Sequence, residues 1–175
     1  VGSLILQVIK ANGYGRVIAV DALDNRCTQA EEFGADVVIH AGKEDPVKSV
    51  KRLTNGMGAD VVVYAVGGPA GPTAFEQGLD MLAIGGLIHL IGLYEDQPLP
   101  LFSGKIQRRK LLGGYYGQAA GAHQARKGMD LLVSGRIYTY QMTSHRFPFM
   151  QAADAFDLLY QHPDEAFGVL LDWGE

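Results

Sequence analysis

Short apolar runs alternate with amphipathic stretches of helical length through the first half of the chain. Residues 17–20 (VIAV), 37–39 (VVI), 61–64 (VVVY) and 87–91 (LIHLI) are nearly unbroken apolar segments. Strands buried on both faces of a parallel sheet read this way, whereas strands with one wet face alternate. Between these runs lie four candidate helices, over residues 2–12, 25–34, 45–55 and 71–83. The second opens on Asn25, a residue type that caps helices, and ends at Gly34; the third opens on Asp45-Pro46, a cap followed by the proline favoured in a first turn. Strand following helix in this rhythm predicts right-handed βαβ units in an α/β fold with a doubly wound parallel sheet.

The rhythm loosens after Tyr94. Residues 95–103 (EDQPLPLFS) carry two prolines and predict a loop, and residues 110–116 (KLLGGYY) a short strand. A helix over 123–134, an extended piece through 143–148, a helix over 149–160 and a closing strand over 167–173 complete the chain. The change of texture sets a domain boundary near 117–121.

Composition narrows the choice of function. The 175 residues carry 15 Lys and Arg against 19 Asp and Glu, a net charge of −4, with 47% hydrophobic and 19% charged residues. Such a chain has material for a core and no excess of positive charge for nucleic acid. The longest apolar stretch, residues 83–94, contains His89 and is shorter than the ~18 residues a membrane helix needs. One cysteine, Cys27, permits neither an internal disulfide nor a multi-cysteine zinc site. No signal-peptide pattern opens the chain, and a reducing, cytoplasmic setting is expected. Glycine is the outlier, 23 of 175 against roughly 7% in ordinary proteins.

Some of those glycines stand where chemistry is done. Gly2 opens a helix, the following strand ends at Val20, and Asp21 comes 19 positions after the glycine. In dinucleotide-binding βαβ units the last glycine of G-x-G-x-x-G lets helix and strand pack closely, and an acid ~20 residues on accepts hydrogen bonds from the adenosine ribose. The first two glycines and the first strand do not precede Gly2, so the chain is expected to begin inside the motif. A strand-end Asp is also a common turn or cap residue, and the spacing alone leaves both readings open. Ala65-Val66-Gly67-Gly68 follows one strand and Ile91-Gly92-Leu93 another. Ligands of open α/β sheets bind outside strand carboxyl ends, where glycine permits backbone to approach a cofactor.

Taken in order, VG at a helix start, RVIAVD, CTQAEEFGADVVIH, GMGADVVVYAVGG, LDMLAIGGLIHLIGLY and TSHRFPFMQAADAFDLL resemble the C-terminal half of a medium-chain, zinc-type alcohol or polyol dehydrogenase, over essentially the whole chain. The resemblance implies a Rossmann-type sheet lacking its first strand. Residues 1–119 would be an incomplete dinucleotide-binding domain and 120–175 a helix and a segment returning to the catalytic domain. It implies that Val1 lies beside the nicotinamide end and Gly2 completes the phosphate loop. Asp21 would bind the adenosine ribose with Arg26 along it; Ala65, Val66, Gly67, Ile91, Gly92 and Leu93 would border the nicotinamide; and Tyr116 would lie near its carboxamide. Family members often carry a basic residue just before the last strand that reaches the pyrophosphate, and 164–168 (DEAFG) has none.

The implied activity is hydride transfer between a secondary alcohol or polyol, the small-molecule partner, and NAD. Asp21 would repel a 2′-phosphate, while Arg26 would welcome one. Catalytic zinc would be held in an N-terminal half, with no catalytic or metal-ligating residue expected here. His40 and His89 are expected to be structural, and Cys27 an inert, half-buried thiol. Homo-oligomers would form through the coenzyme domain, with 110–116 as the edge strand. Two alternatives stand: a zinc-free quinone or enoyl reductase using NADPH, and a non-catalytic nucleotide-binding module. A sheet without its central first strand exposes two interior edges, and each buried unpaired backbone group costs about 1–3 kcal/mol. The 175-residue chain alone is therefore expected to be poorly stable and to bind NAD weakly or not at all, which a cooperative melt with micromolar NADH binding would overturn.

Overall fold

The computed structural model describes residues 1–92, 98–114, 118–162 and 164–174. The chain divides into two units, Val1–His123 and Gln124–Glu175.

The first unit opens with α1 (Gly2–Asn12), which stops at Gly13 in the left-handed conformation, φ 72°. Strand β1 (Ile18–Asp21), helix α2 (Asp24–Glu32) and strand β2 (Val37–His40) follow. The expected cap at Asn25 is not the cap. Leu23 is, because the Asp21 carboxylate accepts its N–H at 3.1 Å while its carbonyl accepts from Arg26 and Cys27, so the helix starts one residue earlier. Helix α3 (Pro46–Leu53) begins as expected, with the Asp45 carboxylate accepting from the Val47 and Lys48 N–H groups.

Strand β3 (Ala59–Tyr64), helix α4 (Gly71–Met81), strand β4 (Leu82–Leu90), the one-turn α5 (Ser103–Ile106) and strand β5 (Lys110–Gly113) complete the sheet elements. Strand β4 has nine residues against the five expected and takes over directly from α4. The Leu82 carbonyl is captured by Lys51 Nζ at 3.2 Å and an Arg109 guanidinium nitrogen at 3.3 Å, neither of which helical periodicity reveals. Gly58 makes the crossing possible: its φ is +97°, and a Cβ there would lie 2.5 Å from the Met81 carbonyl oxygen. Strand β5 is shorter than expected, and residues 115 and 116 of the predicted segment lie outside the described residues.

All the pairings are parallel, but the doubly wound sheet comes in two pieces, β1-β2 and β3-β4-β5. Among the described residues no strand pairs with the outer edge of β1 or of β3. The edges are apolar: Val61 in β3 is 56% exposed and Val20 in β1 37%. The pieces are joined through their cores. Tyr64, Phe75, Leu79, Leu82 and Ile88 form one buried cluster, and Ile39, Val50 and Met81 another, with Val62 packed against both.

The second unit follows within α6 (Gln118–Val133) and contains β6 (His145–Pro148), α7 (Ala152–Gln161) and β7 (Val169–Asp172). Strands β6 and β7 pair in parallel, and Ser144 splices their start, with its N–H donating to the Gly168 carbonyl and its Oγ accepting the Phe167 N–H. Phe149 stacks on Trp173, centroids 4.7 Å apart. Much of this unit's apolar surface stays in solvent, including Met150, Phe156 and Tyr160.

Candidate dinucleotide-binding site

The site is built from strand carboxyl ends. Parallel pairing brings the carboxyl ends of β3, β4 and β5 to one side, and the turns after β3 and β4 cross within van der Waals contact. The Ile91 and Gly92 N–H groups both donate to the Tyr64 carbonyl, at 3.0 and 2.9 Å. A Cβ at Gly92 would sit 2.6 Å from the Val66 carbonyl oxygen and 3.1 Å from the Ala65 carbonyl carbon. Only glycine fits, and at Gly92 the two turns meet backbone to backbone.

Helix α1 begins against the same surface: a Cβ at Gly2 would touch the Ala65 Cβ at 4.0 Å. Val1 is the N-cap residue and is largely exposed, and no side chain caps this end. The first turn contains no acid. A helix start of this kind presents N–H groups and the positive end of the helix dipole to an anion.

From there the site runs to β1. Ser3 donates to the Gln29 side-chain oxygen at 2.9 Å, tying the start of α1 to α2. Gln7 and Gln29 are both buried, a polar seam between the helices that the sequence pattern does not reveal. Asp21 closes β1, and Arg26 on α2 lies within its field: burial pushes the guanidinium below its ordinary pKa and the Asp21 charge pulls it back up. Cys27 is buried, its Sγ 3.6 Å from the Asp21 carbonyl oxygen, and burial, followed by the charges of Asp21 and Asp24, pushes its thiol pKa up. The thiol is therefore protonated and unreactive near neutrality.

The structure thus gathers Val1, Gly2, Ala65, Val66, Ile91 and Gly92 about one surface, with Gly67 exposed beside it, and sets Asp21 with Arg26 at the β1 end. Leu93 and Tyr116 lie outside the described residues. His40 and His89 are tied into the fold, His40 Nδ1 accepting the Gly42 N–H at 3.1 Å and His89 Nε2 donating to the Gly114 carbonyl at 3.1 Å. Among the described residues no group of three or more His, Cys, Asp or Glu is placed to hold a metal ion, and none of their helices is long and apolar enough to cross a membrane.

A glycine-lined row of strand ends, an uncapped helix start and a strand-end carboxylate define a Rossmann-type coenzyme domain. The chain belongs to the zinc-binding dehydrogenase family, which matches residues 1–134. It is 36% identical over 160 residues to an L-threonine 3-dehydrogenase of Bacillus licheniformis, covering 91% of this chain and 45% of that protein. It is 28% identical to a sorbitol dehydrogenase of Bacillus subtilis, covering 98% of this chain and 47% of that one. Among solved structures it superposes on alcohol dehydrogenase TADH from Thermus sp. ATN1 with a TM-score of 0.80 at 29% identity, over 97% of this chain and 47% of that one. The chain spans about half the length of the relatives it matches.

Proposed function

We propose that the chain is the coenzyme-binding portion of an NAD-dependent dehydrogenase acting on a secondary alcohol, polyol or hydroxy amino acid. The observation that carries this reading is the contact of the Gly92 and Ala65-Val66 turns beside the start of α1, with a carboxylate at the end of β1. When bound, NAD supplies the hydride acceptor. The residues of this chain position it. The start of α1 faces the pyrophosphate, Asp21 accepts from the adenosine ribose hydroxyls, and the turns after β3 and β4 hold the nicotinamide end flat against backbone. The relatives are named for oxidation of threonine, sorbitol and alcohols, which sets the substrate classes to be tried. Family membership points to zinc as Lewis acid. The described residues supply no ligand group for it, so no step of this reading runs through the metal.

We further read the edge position of β5 as the surface through which two copies associate, in a cytoplasmic setting consistent with the free Cys27. The decisive experiment is fluorescence titration of the protein with NADH. Asp21→Ala is expected to weaken binding about 10- to 100-fold, the loss of hydrogen bonds to a charged group. Unchanged affinity in that variant removes the site assigned here, and turnover of L-threonine, sorbitol or simple secondary alcohols, followed by reduced nicotinamide, decides among substrates.

A further inference from the structure

Beside Asp21 lies a second charged group that the dinucleotide reading does not use. Asp21 and His40 are register partners at the ends of β1 and β2, and the Ala41 N–H donates to the Asp21 carbonyl at 2.8 Å. The loops that follow touch, since a Cβ at Gly42 would lie 3.6 Å from the Ala22 carbonyl oxygen and 3.0 Å from His40 Cε1. Asp24, the first residue of α2, faces this junction. Its Oδ1 accepts a hydrogen bond from Lys43 Nζ, and His40 Nε2 lies 3.2 Å from the same oxygen. Because His40 Nδ1 accepts the Gly42 N–H, the neutral ring carries its proton on Nε2, close to the carboxylate but without hydrogen-bond geometry to it. The hydrogen bond from Lys43 holds the Asp24 carboxyl below its ordinary pKa, with the Lys43 charge adding to it, so the carboxylate is ionised near neutrality.

This inference rests on the NAD reading above. We propose that Asp24 is a positioning residue for cofactor choice: by holding Lys43 on its own carboxylate, it keeps the cation of the β2 loop from serving a 2′-phosphate at the ribose site beside Asp21. Asp21 makes the direct contact with the ribose, and Asp24 governs the charge around it. The Lys43 side chain is 64% exposed on a flexible stem, so without its partner it is free to turn toward a phosphate carrying up to two negative charges.

The test compares dissociation constants for NAD and NADP in the full-length protein. Asp24→Asn is expected to improve NADP relative to NAD about tenfold, the size of one charge acting on a phosphate at several ångströms through water. The shift should fade in molar salt, where screening reaches only about 3 Å. Adding Lys43→Met to Asp24→Asn should cancel the gain, and Asp24→Glu should keep the wild-type preference. Lys43→Met alone should move the ratio the opposite way, because Asp24 then faces the phosphate uncompensated. That reversal holds even where Asp24→Asn folds poorly. Equal weakening of both cofactors by Asp24→Asn, or no change in the ratio for both variants, overturns the role of Asp24 while leaving NAD binding intact. A wild-type protein that binds neither cofactor overturns the dinucleotide reading as well, and one that prefers NADP overturns the choice of NAD.

Discussion

In the β3-β4-β5 sheet the buried residues are large and mutually in contact. Phe75 meets Tyr64 edge to face, centroids 5.7 Å apart at 84°, over Leu79, Leu82 and Ile88. Beneath the β1-β2 sheet the core cluster is the smaller set Ile39, Val50 and Met81, and ion pairs help to join its elements, Lys10 to Asp36 and Lys43 to Asp24. The difference divides the labour of the site. The larger sheet sets the turns that must approach a cofactor closely, and close approach demands a stiff, well-packed base. The smaller sheet carries Asp21 and its neighbours, where charge decides which ligand is accepted.

The sharpest test of that contrast uses one side chain in two places. Ile88 and Ile39 are 0% and 1% exposed. Isoleucine to alanine in a core costs about 2–5 kcal/mol, depending on how far the surroundings collapse. Ile88 is wedged against Gly78, where an added Cβ would already lie 3.1 Å from its Cδ1, and it shares its cluster with the large side chains of Tyr64, Phe75, Leu79 and Leu82. Ile88→Ala is therefore expected near the upper end of that range and Ile39→Ala near the lower, measured by urea unfolding at pH 7. Equal losses would show that the two cores are one, joined through Val62 more tightly than the split sheet suggests.

A smaller effect is expected where the larger sheet uses charge. Lys105 on α5 donates to Glu76 Oε1 at 2.8 Å and to Asp80 Oδ2 at 2.7 Å on α4. The hydrogen bond to Asp80, then that to Glu76, raises its pKa above the ordinary lysine value. A raised basic group contributes stability that is complete below its unfolded pKa and is lost as pH rises through the folded one. The bridge is thus intact at pH 7, and Lys105→Met should cost about 1 kcal/mol or less, as partly exposed pairs do. A loss as large as that of Ile88→Ala would break the contrast.

What the sequence made legible follows the same line. The apolar runs predicted β1 to β4, and Asp45-Pro46 predicted the start of α3, because burial and capping act over a few neighbouring residues. The strand-end glycines marked the row that Gly92 completes. Illegible were the features settled at long range. Leu82 begins a strand because Lys51 and Arg109, 31 and 27 positions away, take its carbonyl. The Asp24 group joins residues 16 and 19 apart with no spacing motif. The Gln29 seam needed α1 and α2 already docked. Local rules place elements, whereas the charged and polar groups that tune the site depend on which elements meet.

The smallest effect is the most specific to the β1-β2 sheet. Asp36, just before β2, accepts from Lys10 at 2.7 Å with one oxygen and from the Val17 N–H at 2.7 Å with the other, pinning the end of α1 and the entrance of β1. Both hydrogen bonds, that of Lys10 first, hold its pKa below the ordinary carboxyl value. A lowered acid contributes stability that is complete above its unfolded pKa, about 3.9, and lost as pH falls through the lower folded value. The stability difference between wild type and Asp36→Asn should therefore be constant from neutrality down to about pH 4 and shrink below it. Lys10→Met removes the larger cause and leaves the Val17 contact, so its acid limb should fall between those of the wild type and Asp36→Asn in urea melts taken across the same pH range. If Lys10→Met matches the wild type throughout, the backbone contact alone organises this corner, and the smaller sheet owes less to its charges than the larger sheet owes to its core.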